Sequence, residues 1–489
     1  MLSPVSLYSP RASDVGDCGR ISLLAGIPCV TLGYVSTLGA IPIDLHITPI
    51  DGRNYFKIST LSDYFSERAI NRERVFVEIQ YLLWLSRYRV IRPVTTKEQT
   101  HLKSLFLLTT KDYLRLREIE QQTNHDVKAV ELYLQERLSK TTLRDIASMV
   151  HFGLTSDDIN SCAYARCINR ALKDIILPIL WENLAELKKQ AREYKQLPML
   201  AYTHGQPANG TTYGKELGVY IYRLEKRIRQ LSQFRAAGKC SGNVGNFNAH
   251  AVVFPKVDWL RFSETFLEQL EVNPEPISTQ IASYDSLTDI FQTMLQINLL
   301  LLGLCKDLWL YALLGFLSQK RIPAEVGSTA LPHKINPIYL EGAEGGFEIA
   351  NGLLEMYIRK LSYSRLQRDL SDSTIRRSFG TAFAYSLLSY QSVLESLHRI
   401  RPHPEFMAQA LDDHYEILSE AIQNYLRAKG RGDAFERTKL FFRGFVHSRQ
   451  EIAAFIKTLP LATQDKKVLL ALTPTGYTGL ADRLVETYA

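Results

Sequence analysis

Beyond residue 60, apolar residues recur every three or four positions, and Gly, Pro and Asn collect in short breaks. That is the period of amphipathic helices. Period-two alternation is scarce, so few strands are expected. Between Asp157 and Lys195, the positions Ile168, Leu172, Ile175, Ile179, Leu184, Leu187 and Ala191 follow helical spacing. Thr155-Ser156-Asp157-Asp158 offers this helix N-cap hydroxyls and first-turn carboxylates, and Pro178 should kink or divide it. A second long helix is expected from about Gly210 to Ala236. A third, from Leu287 to about Ser318, is apolar on almost every face and is interrupted by Asn298, Lys306 and Asp307. Its uncharged run, from Ile290 to Cys305, is short for crossing a bilayer, so it reads as the buried centre of a bundle. Two more helices should run from Ile338 to Leu361 and from Thr374 to Arg399.

These elements predict an all-α chain. The expected organisation is an N-terminal extension over 1–45, an N-terminal helical domain over 46–150, a central long-helix bundle over 151–400 and a C-terminal helical domain over 401–489. His403 and Pro404 mark the last boundary. A length of 489 residues suits about three domains, and 46% hydrophobic residues can fill a large core. The stretch from Ile21 to Ile43 carries no charge but contains Gly26, Pro28, Gly33 and Gly39. Arg11, Asp14, Asp17 and Arg20 before it cancel, so the basic flank of a signal peptide is missing and an extension is expected rather than a leader. The net charge of +7 comes from scattered Lys and Arg, which is weak support for nucleic-acid binding and equally suits an enzyme acting on a polyanionic small molecule. The cysteines Cys18, Cys29, Cys162, Cys167, Cys240 and Cys305 form no CxxC pair and no metal-ligand spacing. They read as reduced thiols of a cytoplasmic protein, with no metal, no cofactor and no membrane partner expected.

The richest chemistry lies in the run Val326-Gly327-Ser328-Thr329-Ala330-Leu331-Pro332-His333-Lys334-Ile335-Asn336-Pro337. It combines a hydroxyl (Ser328), a fixed positive charge (Lys334) and an amide (Asn336), with prolines limiting the backbone on both sides of Lys334. Such a set suits removal of a proton next to a carboxylate: the hydroxyl acts as base and the ammonium holds the charge that develops. A second block, Ala201-Tyr202-Thr203-His204-Gly205-Gln206-Pro207-Ala208, puts His204 in a loop expected just before a helix. There it can change protonation near neutral pH and deliver a proton to a leaving nitrogen. A lone loop histidine is more often a structural hydrogen-bonder; the Gly-Gln-Pro-Ala that follows strengthens the functional reading.

The 326–337 run resembles the signature loop of the fumarase/aspartase superfamily. From about Pro49 to the C-terminus the chain resembles the adenylosuccinate lyase family within it. The likeness rests on Asp51-Gly52-Arg53, Thr123-Asn124-His125-Asp126-Val127-Lys128-Ala129-Val130-Glu131, the block from His151 to Asn160, the block from Gly242 to His250, Thr279-Gln280-Ile281, and Gln367-Arg368-Asp369-Leu370-Ser371-Asp372-Ser373-Thr374 followed by Arg377. The resemblance implies a three-domain fold around a shared helical core and a homotetramer whose active sites draw on different subunits. It also implies release of fumarate from a nucleotide substrate without metal or organic cofactor. Ser328 would then be the base and His204 the acid, with Glu341 orienting His204 and Lys334 and Asn336 stabilising charge. Arg53, Arg368, Ser373 and Arg377 would hold the phosphate, for which guanidinium forks and a hydroxyl are suited. Asn124, His125, Asp126, Thr155, Ser156 and Gln280 would hold the rest.

The chain also departs from the family pattern. Its loop reads Gly-Ser-Thr-Ala-Leu-Pro where Gly-Ser-Ser-Thr-Met-Pro is usual. Asn54 follows Arg53 where tyrosine is usual, Ile281-Ala282-Ser283-Tyr284-Asp285 replaces Ile-Glu-Pro-His-Asp, and Tyr202 stands where arginine is common. None of these removes the acid or the base. The rival readings are argininosuccinate lyase or another fumarate-releasing enzyme, and a non-catalytic relative that kept the fold.

Overall fold

The computed structural model describes residues 47–323, 325–326 and 330–489; the expected N-terminal extension and Ser328 lie outside them. Long antiparallel helices carry the largest hydrophobic core: Ser156–Ala171 continuing into Leu177–Glu193, then Tyr213–Gln233, Asp285–Leu313, Ile338–Leu361 and Phe379–Arg399. Their inward faces are apolar at three- and four-residue spacing, as with Leu217, Ile221, Leu224, Ile228 and Leu231, all almost fully buried. One polar cluster sits among them. Buried Asn298 donates to Asn351 at 3.0 Å and Ser386 at 3.2 Å, and accepts from Tyr390 at 2.5 Å, tying three helices in one register.

A second core joins the helices of residues 75–150, and a third joins residues 422–469. The Glu67–Arg87 helix serves two cores at once. Val75, Ile79 and Leu82 face the second core, while Ile70, Val77, Tyr81 and Leu85 face the bundle, so little of this helix is left to solvent.

Several element boundaries differ from the sequence expectation. The first long helix is interrupted by a π-helical turn, Leu172–Ile176, directly before Pro178. Proline has no N–H for the regular ladder, and the wider turn takes up the mismatch. The second long helix begins at Tyr213, because residues through Thr212 belong to a strand. The third runs Asp285–Leu313 and gives way to a short strand, Leu317–Gln319. It is long and apolar enough to cross a membrane, but most of its apolar stretch is buried among the other helices, as in a core helix. The last expected helix is two, Ser371–Arg376 and Phe379–Arg399, broken around Arg377 and Ser378.

Strands are few among the described residues: three two-stranded sheets. The longest is an antiparallel hairpin of Pro198–Thr203 with Gln206–Thr212. Thr203 pairs with Gln206, leaving His204 (φ 55°) and Gly205 (φ 71°) as a two-residue turn. Two positive φ values in succession define the type I′ turn, whose twist matches the flanking strands.

Candidate active site

The Ser156–Ala171 helix starts at the wall of a cavity of about 690 Å³. The lining brings together Asn124, His125, Asp126, Thr155, Ser156, Gln280, Arg368, Ser373 and Arg377, which lie up to 253 positions apart in the chain (377 − 124). Arg53 and Asn336 are not in that lining. Arg53 sits exposed on the turn before the Tyr55–Ile58 helix, between Asp51 and Tyr55. Those two neighbours line a smaller cavity of about 200 Å³ that also has Arg377 in its wall.

Local structure fixes each lining group. Asn124 ends the Thr110–Thr123 helix in the left-handed region (φ 49°), which asparagine tolerates well. His125 caps the next helix by accepting the Lys128 amide on Nδ1 at 3.1 Å. The neutral ring therefore carries its proton on Nε2 and offers a donor. The first-turn amide of Val127 donates to Asp126 at 2.8 Å. Arg368 donates to Ser156 at 3.2 Å, Arg377 to Ser373 at 2.6 Å, and Gln280 to Asn243 at 2.6 Å. Burial opposes the charge on Asp126. Arg74, the Val127 amide and Arg377 outweigh it and hold the carboxyl below the usual range.

The two carboxylates after Ser156 turn inward. Asp157 accepts from Arg376 at 2.8 Å and from the Ala282 amide at 3.0 Å. Asp158 accepts from fully buried Lys239 at 2.6 Å, from the Ser241 amide at 2.9 Å and from the Thr155 amide at 2.8 Å. These residues complement the helix dipole as the sequence suggested. They also pin the segments that carry Gln280 and Asn243 to the start of the cavity helix. Beneath them His250 is buried, and a Cβ on Gly153 (φ 70°) would come within 2.6 Å of its ring, so only glycine fits there.

His204, Lys334 and Glu341 line no part of this cavity. His204 lies exposed at the tip of the hairpin, so the expected loop before a helix is a turn followed by a seven-residue strand. Lys334 is exposed in a turn closed by its own amide to Leu331 at 3.0 Å. Glu341, in the first turn of Ile338–Leu361, accepts from Trp309 Nε1 at 3.2 Å. Among the described residues no hydrogen bond or ion pair joins Glu341 to His204. Both nevertheless lie at one end of the bundle. Tyr202 of the hairpin packs near Phe316, which follows the helix that holds Trp309. The cavity residues 368–377 follow the other end of Ile338–Leu361. That helix has 24 residues and spans about 36 Å.

Sequence reasoning passed over Arg74 and Glu120. Glu120 lines the cavity, and Arg74 lines an adjoining chamber of about 290 Å³ bounded by Asp126 and Arg377. Both precede the recognisable blocks and sit in ordinary amphipathic helices, so no local signal marks them. Among the described residues no group of three or more His, Cys, Asp or Glu is placed to hold a metal ion.

A family model described as lyase matches residues 96–348, and one described as adenylosuccinate lyase C-terminal matches residues 364–478. Similar relatives include the adenylosuccinate lyases of Legionella pneumophila strain Philadelphia 1 and Escherichia coli K12. The first is 39% identical over 91% of this chain and 98% of its own. The second is 36% identical over 90% of this chain and 98% of its own. The enzyme of that name from Dictyostelium discoideum is 39% identical over 89% of this chain and 96% of its own. Among solved structures, a fumarate lyase from Mesorhizobium sp. BNC1 superposes with a TM-score of 0.72 at 17% identity, over 88% of this chain and 97% of its own. A 3-carboxy-cis,cis-muconate lactonizing enzyme from Pseudomonas putida superposes at 0.74 with 18% identity, over 90% of this chain and 98% of its own. At such identities these two structures speak for the fold alone.

Proposed function

The chain belongs to the adenylosuccinate lyase family, and from that premise we propose how its residues carry out the reaction. It is a carbon–nitrogen lyase of purine nucleotide biosynthesis that eliminates fumarate from adenylosuccinate and leaves AMP. The same chemistry extends to succinylaminoimidazole carboxamide ribotide. The observation that carries the site assignment is the cavity, whose lining gathers Arg368, Arg377 and Ser373 with His125, Ser156 and Gln280.

In this reading Arg53, Arg368, Ser373 and Arg377 bind the nucleotide phosphate, and Asn124, His125, Asp126, Thr155, Ser156 and Gln280 bind the remainder. Ser328, deprotonated, takes the proton from the succinyl carbon beside a carboxylate. The electron pair of that C–H bond becomes the double bond of fumarate as the C–N bond breaks. Lys334 and Asn336 hold the charge that develops on the carboxylate. His204, oriented by Glu341, protonates the departing nitrogen. Atoms and charge balance without metal or organic cofactor.

In this reading His204 and Glu341 lie toward one end of Ile338–Leu361 and the cavity residues 368–377 follow its other end, and that helix of 24 residues is about 36 Å long. That separation supports a homotetramer in which copies share each site. Exposed apolar residues on the bundle helices, Leu299, Leu310, Leu313 and Ile349, supply area for such contacts. We place the enzyme in the cytoplasm, acting on a small nucleotide rather than on nucleic acid or membrane.

The test is turnover of adenylosuccinate by purified protein, following loss of substrate and appearance of AMP and fumarate. Ser328→Ala and His204→Ala should each lower kcat by about two to four orders of magnitude. Near-normal turnover in either variant would overturn its assignment, and turnover of argininosuccinate instead would overturn the substrate.

A further inference from the structure

Arg74 is a buried cation that touches the cavity wall from behind. Its side chain is 6% exposed, and each of its nitrogens is committed. Nη2 donates to Asp126 Oδ2 at 2.6 Å, Nε to Asn160 at 2.8 Å and Nη1 to Asn71 at 2.7 Å. Asp126 and Asn160 both line the cavity. Arg377 reaches the same Asp126 oxygen from the cavity side, at 3.4 Å, while its main contact is Ser373 at 2.6 Å. Arg377 is 57% exposed and Asp126 is 19% exposed. Two guanidiniums thus compete for one carboxylate oxygen, and the buried one holds the shorter contact.

We infer that Arg74 is a positioning residue that neutralises Asp126 and so leaves the Arg377 guanidinium available to the anionic group of the substrate. The inference rests on the reading of Arg377 as a phosphate ligand given above. Without Arg74, Asp126 is a largely buried carboxylate with Arg377 as the one permanently charged cation in reach, His125 at 3.8 Å being charged only when protonated. Arg377 then closes onto it, because a buried charge left unpaired costs far more than an exposed one. The nucleotide loses its partner although Arg377 is still present.

The experiment compares binding of AMP and adenosine by titration calorimetry in wild type, Arg74→Gln and Arg74→Lys. Arg74→Gln should weaken AMP binding by about 10- to 100-fold and adenosine binding by less than about threefold, since the loss belongs to the phosphate partner. Arg74→Lys keeps the charge while losing the fork, and should retain AMP affinity within about threefold of wild type. In an Arg377→Gln background, Arg74→Gln should cost little more, because the group it frees is already gone. An equal loss for AMP and adenosine, or additive losses with Arg377→Gln, would overturn the inference in favour of a scaffolding role. If Arg74→Gln does not fold, Arg74→Lys decides: a loss of AMP affinity of tenfold or more contradicts charge neutralisation. Arg377→Gln alone tests the underlying reading: it should weaken AMP binding far more than adenosine binding, and an equal loss for both would overturn Arg377 as a phosphate ligand whatever Arg74→Gln does, so the two fail separately.

Discussion

His151 and His250 contact the same helix, Glu67–Arg87, with opposite electrostatics. Burial disfavours charge on His151, but Glu78 at 2.6 Å outweighs it and raises the pKa. Burial lowers that of His250 to about 4, helped by Lys239 and opposed by Asp158. A histidine raised in the fold stabilises it fully below the unfolded value of about 6.5, and that contribution is lost as pH rises through the folded pKa. A lowered histidine works the other way, and stability is lost as pH falls from about 6.5 toward 4. Glu78→Gln should therefore flatten the alkaline limb of a Tm–pH profile and leave the acid limb as in wild type. An unchanged alkaline limb would contradict the pairing. At this scale the sequence was uneven. That His125, Ser156 and Arg368 belong together could be read because they sit in contiguous motifs, and they line one cavity. The long-range partners of Asp157, Asp158 and Arg74 could not, because they lie far along the chain: Arg376 is 219 positions from Asp157, and Asp126 is 52 from Arg74.

The hairpin is the element that carries His204, and its turn rests on Gly205. Nothing lies within 4 Å of a Cβ at that position, so a larger side chain meets no clash there; it meets only the positive φ of 71°. Gly205→Val should cost about 1–2 kcal/mol through that backbone conformation and shift the histidine at the tip. Steady-state kinetics should then show a kcat reduced tenfold or more with KM within about threefold, because the cavity lies elsewhere in the chain. A rise in KM at constant kcat would contradict the assignment of His204 to the chemical step. The long helices were legible because period-three-and-four apolar spacing persists over many turns. The hairpin was not, since Gln206–Thr212 (QPANGTT) is small and polar and lacks strand alternation. The break around Arg377 was also hidden, as no proline or glycine stands there.

At the scale of the molecule, antiparallel packing decides the architecture. Trp309 meets Glu341 while Asn298 meets Asn351, so the Asp285–Leu313 and Ile338–Leu361 helices run in opposite directions. The hairpin and Glu341 fall at one end and the binding cavity at the other. In the proposed reading a single copy supplies only part of each site, and the exposed apolar residues of the bundle are where further copies would pack. The most direct measurement of this account mixes two inactive proteins, His204→Ala and Arg368→Ala, under conditions that exchange subunits. If each site takes its acid from one copy and its phosphate-binding arginine from another, the mixture should regain about a quarter of wild-type turnover of adenylosuccinate, as random assortment of two chains per site dictates. A mixture shown to form hybrid tetramers yet remaining inactive would contradict it.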